Sequence, residues 1–249
     1  MNFLFVKEKK MRPFHLDAYK TTIWWSPKCG CSTLKHIIHN YILQDSVDNI
    51  HSNTWKLDPS RLYYKNILIV RNPMTRLVAC YLDKYRWWKT KLFDDKDYSF
   101  LDFVLKIEQV TPHFEHHLER QFEEEFLGVE LNYMHQEKKR FRFDYVIPLE
   151  HFDVANFLTT FFNISISNVS HISNVSHLES NVNVQLHTTK KNPNYIVENA
   201  WLIPKPFLLN TNGEVPNYNC FLTDEIKLKI KTLYKKDYEY TAMYNIHYQ

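Results

Sequence analysis

One short stretch of this chain combines the residue types that bind a phosphate or sulfate group. Residues 26–35 read SPKCGCSTLK, so Lys28 and a glycine are followed closely by the hydroxyl side chains of Ser32 and Thr33. The lysine brings a positive charge, the glycine lets the main chain approach a ligand, and the hydroxyls donate hydrogen bonds. The pattern predicts an anion site, with a plain structural turn as the alternative.

The elements on either side of this stretch would place it at the end of a sheet. Residues 20–26 are predicted to form a strand that ends at Pro27, and apolar positions from Leu34 to Ile42 recur with a helical period. A loop that leads from a strand into a helix presents unpaired N–H groups and the positive end of the helix dipole to an anion. The spacing differs from the Gly-x-x-x-x-Gly-Lys-Ser/Thr loop of nucleoside triphosphatases.

A second segment, residues 66–85, carries arginines at the end of another predicted strand. The apolar run after Asn66 predicts a strand buried on both faces of a parallel sheet, and Pro73 suits the first turn of the next helix. Arg71 leaves this strand, and Arg76 follows on the helix. A charge beside a buried strand is costly unless it meets an opposite charge. Arg71 is therefore predicted to bind either an anionic ligand or a carboxylate of the protein.

The remaining sequence predicts a single α/β domain over residues 1–249. A chain of 249 residues with 44% hydrophobic content can bury a full core. Two strand–helix units in succession predict a central parallel sheet flanked by helices. The other predicted segments are helices over 99–108, 114–126 and 151–162, charged and polar loops over 89–98 and 163–194, a strand over 143–150, and a last helix over about 223–244.

Composition excludes some classes of function. The net charge of +3 gives no reason to expect a nucleic-acid partner. The apolar stretch near the N-terminus is too short for a signal peptide or a membrane span, so a cytoplasmic protein without stable membrane insertion is expected. Four cysteines do not predict a disulfide framework. Nothing in the sequence indicates the oligomeric state.

Together, the two segments resemble the motifs of sulfotransferases that use 3′-phosphoadenosine 5′-phosphosulfate (PAPS), particularly the carbohydrate sulfotransferases. PKCGCSTLK resembles their 5′-phosphosulfate loop, and VRNPMTRLVACYLDKY resembles their 3′-phosphate motif, Val-Arg-Asp-Pro-x-x-Arg-Leu-Val-Ser. Weaker similarity extends the resemblance to roughly residues 20–245. PHFEHH is similar to an acceptor-side Glu-His-Trp segment, FDYVIPLEHF to the strand after it, and LYKKDYEYTAMY to a terminal Tyr-x-x-Asp-Phe helix. Unlike the Golgi members of that branch, this chain is expected to lack a membrane anchor.

The resemblance implies a P-loop-like nucleotide-binding core and assigns a donor site. The resemblance implies that Arg71 binds the 3′-phosphate. The family's serine and aspartate in the second motif are replaced here by Ala79 and Asn72, and Ala79 lacks the hydroxyl that the family's motif offers to the 3′-phosphate. Lys190 and Lys191 can compensate, or they form only a solvated pair of charges. The residues assigned to the 5′-phosphosulfate are Lys28, Cys29, Gly30, Cys31, Ser32 and Thr33.

The implied reaction is transfer of a sulfuryl group from PAPS to an acceptor hydroxyl, most simply that of a carbohydrate. Lys28 would stabilise the charge that develops on the leaving phosphate, and the product is 3′-phosphoadenosine 5′-phosphate (PAP). The family requires no metal ion. Protein tyrosine and small alcohols remain possible acceptors, and a binding protein that has lost catalysis is the alternative from another class.

A histidine is the expected base, because its ordinary pKa suits proton abstraction near neutrality. His51 lies between the two motifs, as the catalytic histidine of uronyl 2-O-sulfotransferases does, and His116 lies in PHFEHH. Glu115 is a third candidate. Two clusters raise the question of a metal site, but neither has a convincing set of ligands. They are Cys29 with Cys31, and His113 with His116 and His117.

Overall fold

The computed structural model describes residues 12–44, 61, 64–110, 117–121, 143–164 and 190–248. The strands in these ranges are β1 (Arg12–Leu16), β2 (Thr21–Trp25), β3 (Lys65–Val70), β4 (Tyr145–Pro148), β5 (Lys190–Lys191) and β6 (Glu214–Val215). The α-helices are α1 (Cys31–Ile37), α2 (Pro73–Leu92), α3 (Phe100–Gln109), α4 (Val154–Phe162), α5 (Asp224–Leu233) and α6 (Lys235–Ala242). None of the helices in these ranges combines the length and apolar composition that a bilayer-spanning helix needs.

A four-stranded sheet in the order β1-β2-β3-β4 forms the centre of the α/β fold. As the sequence predicts, β2, β3 and β4 are parallel to one another. The sheet is nevertheless mixed, because β1 pairs with β2 in the antiparallel direction. The link between β1 and β2 is a single short turn that ends at Lys20. A parallel pair would need a much longer crossover, so this link permits only a hairpin.

Side chains that alternate along the strands give the sheet two apolar faces. On one face, Ile23, Trp25 and Ile67 pack with the buried side of α1 and α4. On the other face, Trp24 and Leu68 pack with Phe143 and with Tyr240 of α6. Both faces are therefore covered, as the apolar run of β3 predicts.

The helix that follows β3 starts where the sequence predicts and ends later. Asn72 caps α2 by accepting a hydrogen bond from the N–H of Met74, and Pro73 occupies the first turn. The helix then continues to Leu92, so residues 89–92 are helical, and the prediction that a loop begins at residue 89 is wrong for them. The apolar face of α2 packs against α3 and α5 in a third core, separate from the two on the sheet.

Two predicted helices differ in the structure. Residues 117–121 form turns and bends, because their main-chain groups pair with distant side chains instead of with one another. Tyr234 donates to the C=O of Leu118 over 2.7 Å, and Arg76 donates to the C=O of Glu119 over 2.7 Å. The predicted C-terminal helix begins at its Thr223 cap as expected, but it breaks at Tyr234 into α5 and α6.

Candidate functional site

The candidate site lies where the three parallel strands end. Because β2, β3 and β4 run in the same direction, their carboxyl ends meet at one edge of the sheet. Lys28, Arg71 and Glu150 follow these strands in turn. Open α/β sheets bind their ligands in the crevice at this edge.

The loop between β2 and α1 is a tight turn with two residues in left-handed conformation. The N–H of Cys29 donates to the C=O of Ser26 over 3.2 Å, which closes the turn. Gly30 has a φ of 72° and starts the helix, since its C=O accepts the N–H of Leu34. A Cβ atom at Gly30 would lie 2.8 Å from Cδ1 of Leu149, so the loop packs directly on the end of β4.

Lys28 also adopts a left-handed conformation, with a φ of 67°. This conformation is strained for a residue with a side chain, and such strain is concentrated at functional sites. Its ammonium group donates to Oδ2 of Asp83 on α2 over 2.6 Å, with the two side chains 11% and 22% exposed. A ligand that recruits Lys28 must therefore compete with a carboxylate.

The hydroxyl residues of the loop lie at the beginning of α1. Cys31 is the first residue of this helix, which continues after Ile37 as a π-helical turn, Ile38–Leu43. Ser32 and Thr33 are 8% and 4% exposed, and their hydroxyls make no hydrogen bond within the described ranges. Both hydroxyls retain their capacity to donate to a ligand.

Cys29 is the buried centre of the loop. Its thiol lies 3.1 Å from Oγ of Ser26 and donates to Oε1 of Gln121 over 3.0 Å. Burial raises the pKa of the Cys29 thiol, although the nearby guanidinium of Arg76 opposes this shift. The thiol is therefore neutral at physiological pH, and its role is to hold the loop rather than to react.

Arg71 links the end of β3 to the loop and faces an aromatic ring. Its guanidinium donates to the C=O of Lys28 over 3.0 Å and to Oγ1 of Thr75 over 3.3 Å. The guanidinium carbon lies 5.9 Å from the ring centroid of Tyr218. Lys191 approaches the same ring, with its ammonium nitrogen 4.5 Å from the centroid. Two positive side chains that are far apart in sequence thus share one aromatic neighbour.

Arg76 supports the loop from inside the protein. It is 2% exposed and donates to the C=O of Pro27 over 2.9 Å, in addition to Glu119. Its Nη2 atom is buried and has no hydrogen-bond partner among the described residues. Its positive charge therefore acts on the loop from the protein interior, whereas Lys28 belongs to the loop and Arg71 lies beside it.

A carboxylate lies beside the second motif as well. Oε1 of Glu150 accepts hydrogen bonds from the N–H of Asn72 over 3.0 Å and from the hydroxyl of Thr75 over 2.8 Å. Ala79, which stands where the sulfotransferase motif that this segment resembles has a serine, is buried at 4% exposure on α2, one turn beyond Thr75. Thr75 provides the hydroxyl that is closest in sequence to Arg71 on this helix.

The structure brings only part of the predicted site together. Arg71 and the loop of residues 28–33 lie at one edge of the sheet. Lys191 lies near them, because it contacts the ring of Tyr218 that Arg71 also faces. Lys190 lies in β5, whose main chain pairs with β6, so the prediction of a polar loop over 163–194 is wrong for the two residues of this strand. Further predicted residues lie outside the described ranges: His51, His113, Glu115 and His116.

Sequence reasoning missed Gln121, Tyr218 and Asp83 as parts of this edge. Asp83 stands inside the second motif, where its place on the helix can be predicted but its pairing with Lys28 cannot. The sequence around Gln121 and Tyr218 gives no indication that they belong to the site. Gln121 contacts Arg71, which is 50 positions away, and Tyr218 contacts residues in other segments of the chain.

Two other observations concern ligands. A shallow cavity of 380 Å³ between Phe93 and Gln109 contains none of the predicted site residues. Within the described ranges, no group of three or more His, Cys, Asp or Glu side chains is arranged to hold a metal ion.

Comparison of this chain with protein-family models, with curated proteins and with solved structures finds no match.

We predict that Gly30→Ala destabilises the protein more than Gly213→Ala does. Both glycines have a positive φ, of 72° and 71°, so each substitution carries a conformational cost of about 1–2 kcal/mol. Only at position 30 would the new methyl group collide with Leu149, whereas nothing lies within 4 Å at position 213. Overpacking should add about 1 kcal/mol or more to the loss for Gly30→Ala, measured by urea denaturation. Equal losses would show that Leu149 moves aside and that the close approach is not required.

Proposed function

We propose that this protein is a PAPS-dependent sulfotransferase that transfers a sulfuryl group to an acceptor hydroxyl, most simply on a carbohydrate. The observation that carries the proposal is the convergence at one sheet edge of the two segments that resemble the donor motifs. The loop after β2 and Arg71 after β3 are joined directly, since Arg71 donates to the C=O of Lys28. This is the crevice in which α/β proteins bind nucleotides.

The charges at this edge fit a ligand with two separated anionic groups. Lys28 and the N-terminal turn of α1 form one positive region. Arg71 and Lys191, which both approach the ring of Tyr218, form another. The 5′-phosphosulfate and the 3′-phosphate of PAPS would occupy these two regions, and the second region supports the role in compensation that the sequence suggests for Lys191.

The roles of the residues follow from the reaction. The acceptor oxygen forms a bond to sulfur, the bond from sulfur to the phosphate oxygen breaks, and PAP leaves. Lys28 would exchange Asp83 for the phosphate, where negative charge increases in the transition state. Ser32 and Thr33 would donate their hydroxyl hydrogen bonds to the same group, and Arg71 would hold the 3′-phosphate.

The proton of the acceptor hydroxyl needs a base. His51, His116 and Glu115 remain the predicted candidates, in this order, and all three lie outside the described residues. Glu150 is a less suitable base, because its Oε1 already accepts two hydrogen bonds on the Arg71 side of the edge.

A binding protein without catalysis is the second candidate. The methyl group of Ala79 supplies no hydroxyl to a 3′-phosphate, and Glu150 brings negative charge close to Arg71 by way of Thr75. Such a protein would bind PAP or PAPS, or a glycan, without turnover. Transfer of radiolabelled sulfate from PAPS to a panel of glycans, tyrosine peptides and small alcohols separates the two functions.

We predict that PAP raises the melting temperature of the protein and that ATP does so much less. A ligand at 100 times its dissociation constant stabilises the folded state by about 2.7 kcal/mol. ATP lacks the 3′-phosphate that Arg71 would bind. Thermal melts with PAP, with ATP and without ligand test this difference, and an equal response to both nucleotides would argue against a dedicated 3′-phosphate site.

We predict that Arg71→Ala weakens PAP binding at least tenfold. Loss of a hydrogen bond to a charged group typically costs about 1.5–3 kcal/mol. The matched control is Arg86→Ala, which removes an exposed arginine from α2, the helix that follows Arg71. This variant should change the affinity for PAP less than twofold. Isothermal titration calorimetry measures both variants. Normal PAP binding by Arg71→Ala would reduce Arg71 to a structural link between β3 and the loop.

We predict that Lys28→Ala lowers kcat for sulfate transfer more than it lowers the affinity for PAPS. The charge of Lys28 is needed most where negative charge develops in the transition state. Asp83→Asn is the control, because it removes the negative charge that pairs with Lys28 but leaves the ammonium group in place to reach the donor. Steady-state rates should therefore fall in Lys28→Ala and be retained in Asp83→Asn. A raised KM with unchanged kcat in Lys28→Ala would limit Lys28 to donor binding.

A further inference from the structure

Gln121 lies behind the candidate site and makes an unusual set of contacts with it. It is 2% exposed. Its Oε1 accepts the main-chain N–H of Arg71 over 2.8 Å and the thiol of Cys29 over 3.0 Å. Its Nε2 donates to the C=O of Arg71 over 2.7 Å. One side-chain amide therefore joins the loop after β2 to the residue after β3.

The amide of Gln121 pairs with Arg71 as a neighbouring strand would. Arg71 lies one residue beyond the end of β3, where its N–H and C=O both pair with the side chain of Gln121. The side chain of Gln121 satisfies both groups at once, since it carries an acceptor and a donor side by side. This pairing fixes the main chain of Arg71, and with it the direction in which the guanidinium leaves the sheet.

A buried carboxylate on the C-terminal helix holds Gln121 in turn. Asp237 of α6 is 0% exposed, and its two oxygens lie 2.9 Å and 3.0 Å from the main-chain N of Gln121. Its Oδ2 also lies 3.5 Å from Nε2 of Gln121. A carboxylate is costly to bury without donors, so the interaction constrains both partners.

We propose that Gln121 and Asp237 are positioning residues for the donor site. Asp237 holds the main chain of Gln121, and the Gln121 amide fixes Cys29 and Arg71 relative to each other. Neither residue needs to touch the ligand, because both act through the loop and through Arg71. The link to the donor rests on the proposed function, whereas the link between Gln121 and Cys29 is a property of the protein itself.

The experiment uses the reactivity of Cys29 to measure the positioning without any ligand. Alkylation of each cysteine in the full chain is followed by peptide mass spectrometry for the wild-type protein, Gln121→Ala and Gln121→Glu. Cys80 is buried in a separate core, so the ratio of the Cys29 rate to the Cys80 rate corrects for global unfolding. We expect this ratio to rise at least tenfold in Gln121→Ala. Gln121→Glu keeps the size of the side chain but loses the Nε2 donor. This variant replaces Gln121→Ala in the alkylation measurement if the alanine variant does not fold.

The matched control is Tyr234→Phe, which removes a hydrogen bond to the same segment without altering the amide bridge. Its hydroxyl donates to the C=O of Leu118 over 2.7 Å. We expect Tyr234→Phe to lower the melting temperature and to leave the Cys29 ratio unchanged. The proposal is overturned if Tyr234→Phe raises the ratio as much as the Gln121 variants do, or if the Gln121 variants keep Cys29 protected.

PAP binding gives the second readout. We expect Gln121→Ala and Asp237→Ala to raise the dissociation constant of PAP at least tenfold. Asp237→Asn should recover much of this loss, because an asparagine oxygen still accepts the N–H of Gln121. Failure of the wild-type protein to bind PAP would refute the proposed function, and the Cys29 ratio would still decide the positioning. Unchanged PAP affinity in folded Gln121→Ala and Asp237→Ala, with normal wild-type binding, would refute the role of these residues in the donor site.

Discussion

The main chain of Arg71 continues past the end of β3, where its N–H and C=O still need hydrogen-bond partners. A buried main-chain group without a partner costs free energy comparable to a lost hydrogen bond. The side-chain amide of Gln121 supplies both partners, and the thiol of Cys29 donates to the same amide oxygen. The loop and Arg71 are both joined directly to this one side chain, and the main chain of the same residue is joined to α6 through Asp237.

Positive charge at the site is divided between two layers. Arg76 is fixed inside, where the carbonyl groups of Pro27 and Glu119 hold its guanidinium. Lys28 and Arg71 lie farther out, with contacts to Asp83 and Thr75 that a ligand can replace. An inner charge that does not have to reorganise on binding contributes a preorganised potential. In the proposed donor site, the outer charges would supply the hydrogen bonds to the ligand.

Local signals in the sequence predict the parts of the fold whose causes are local. Pro73 and the Thr223 cap mark helix starts correctly, and the apolar runs of β2 and β3 give buried parallel strands. The antiparallel β1 and the turns at residues 117–121 could not be predicted, since they follow from a short link and from distant side chains. The shared contact of Lys191 and Arg71 with Tyr218 could not be predicted either, since it also joins residues that are distant in sequence. The loop and Arg71 could therefore be predicted as candidate residues, whereas the network that aligns them could not.

The distance along the chain between Gln121 and Asp237 has a consequence for protein synthesis. The two residues are 116 positions apart, and the ribosome makes Asp237 long after the loop and β3. Chains are produced from the N-terminus, so a nascent chain without α6 holds Gln121 without its carboxylate. Contacts of such high sequence separation form late and slowly. A partly translated chain that stops before α6 can therefore form the parallel strands while Gln121 still lacks the support of Asp237.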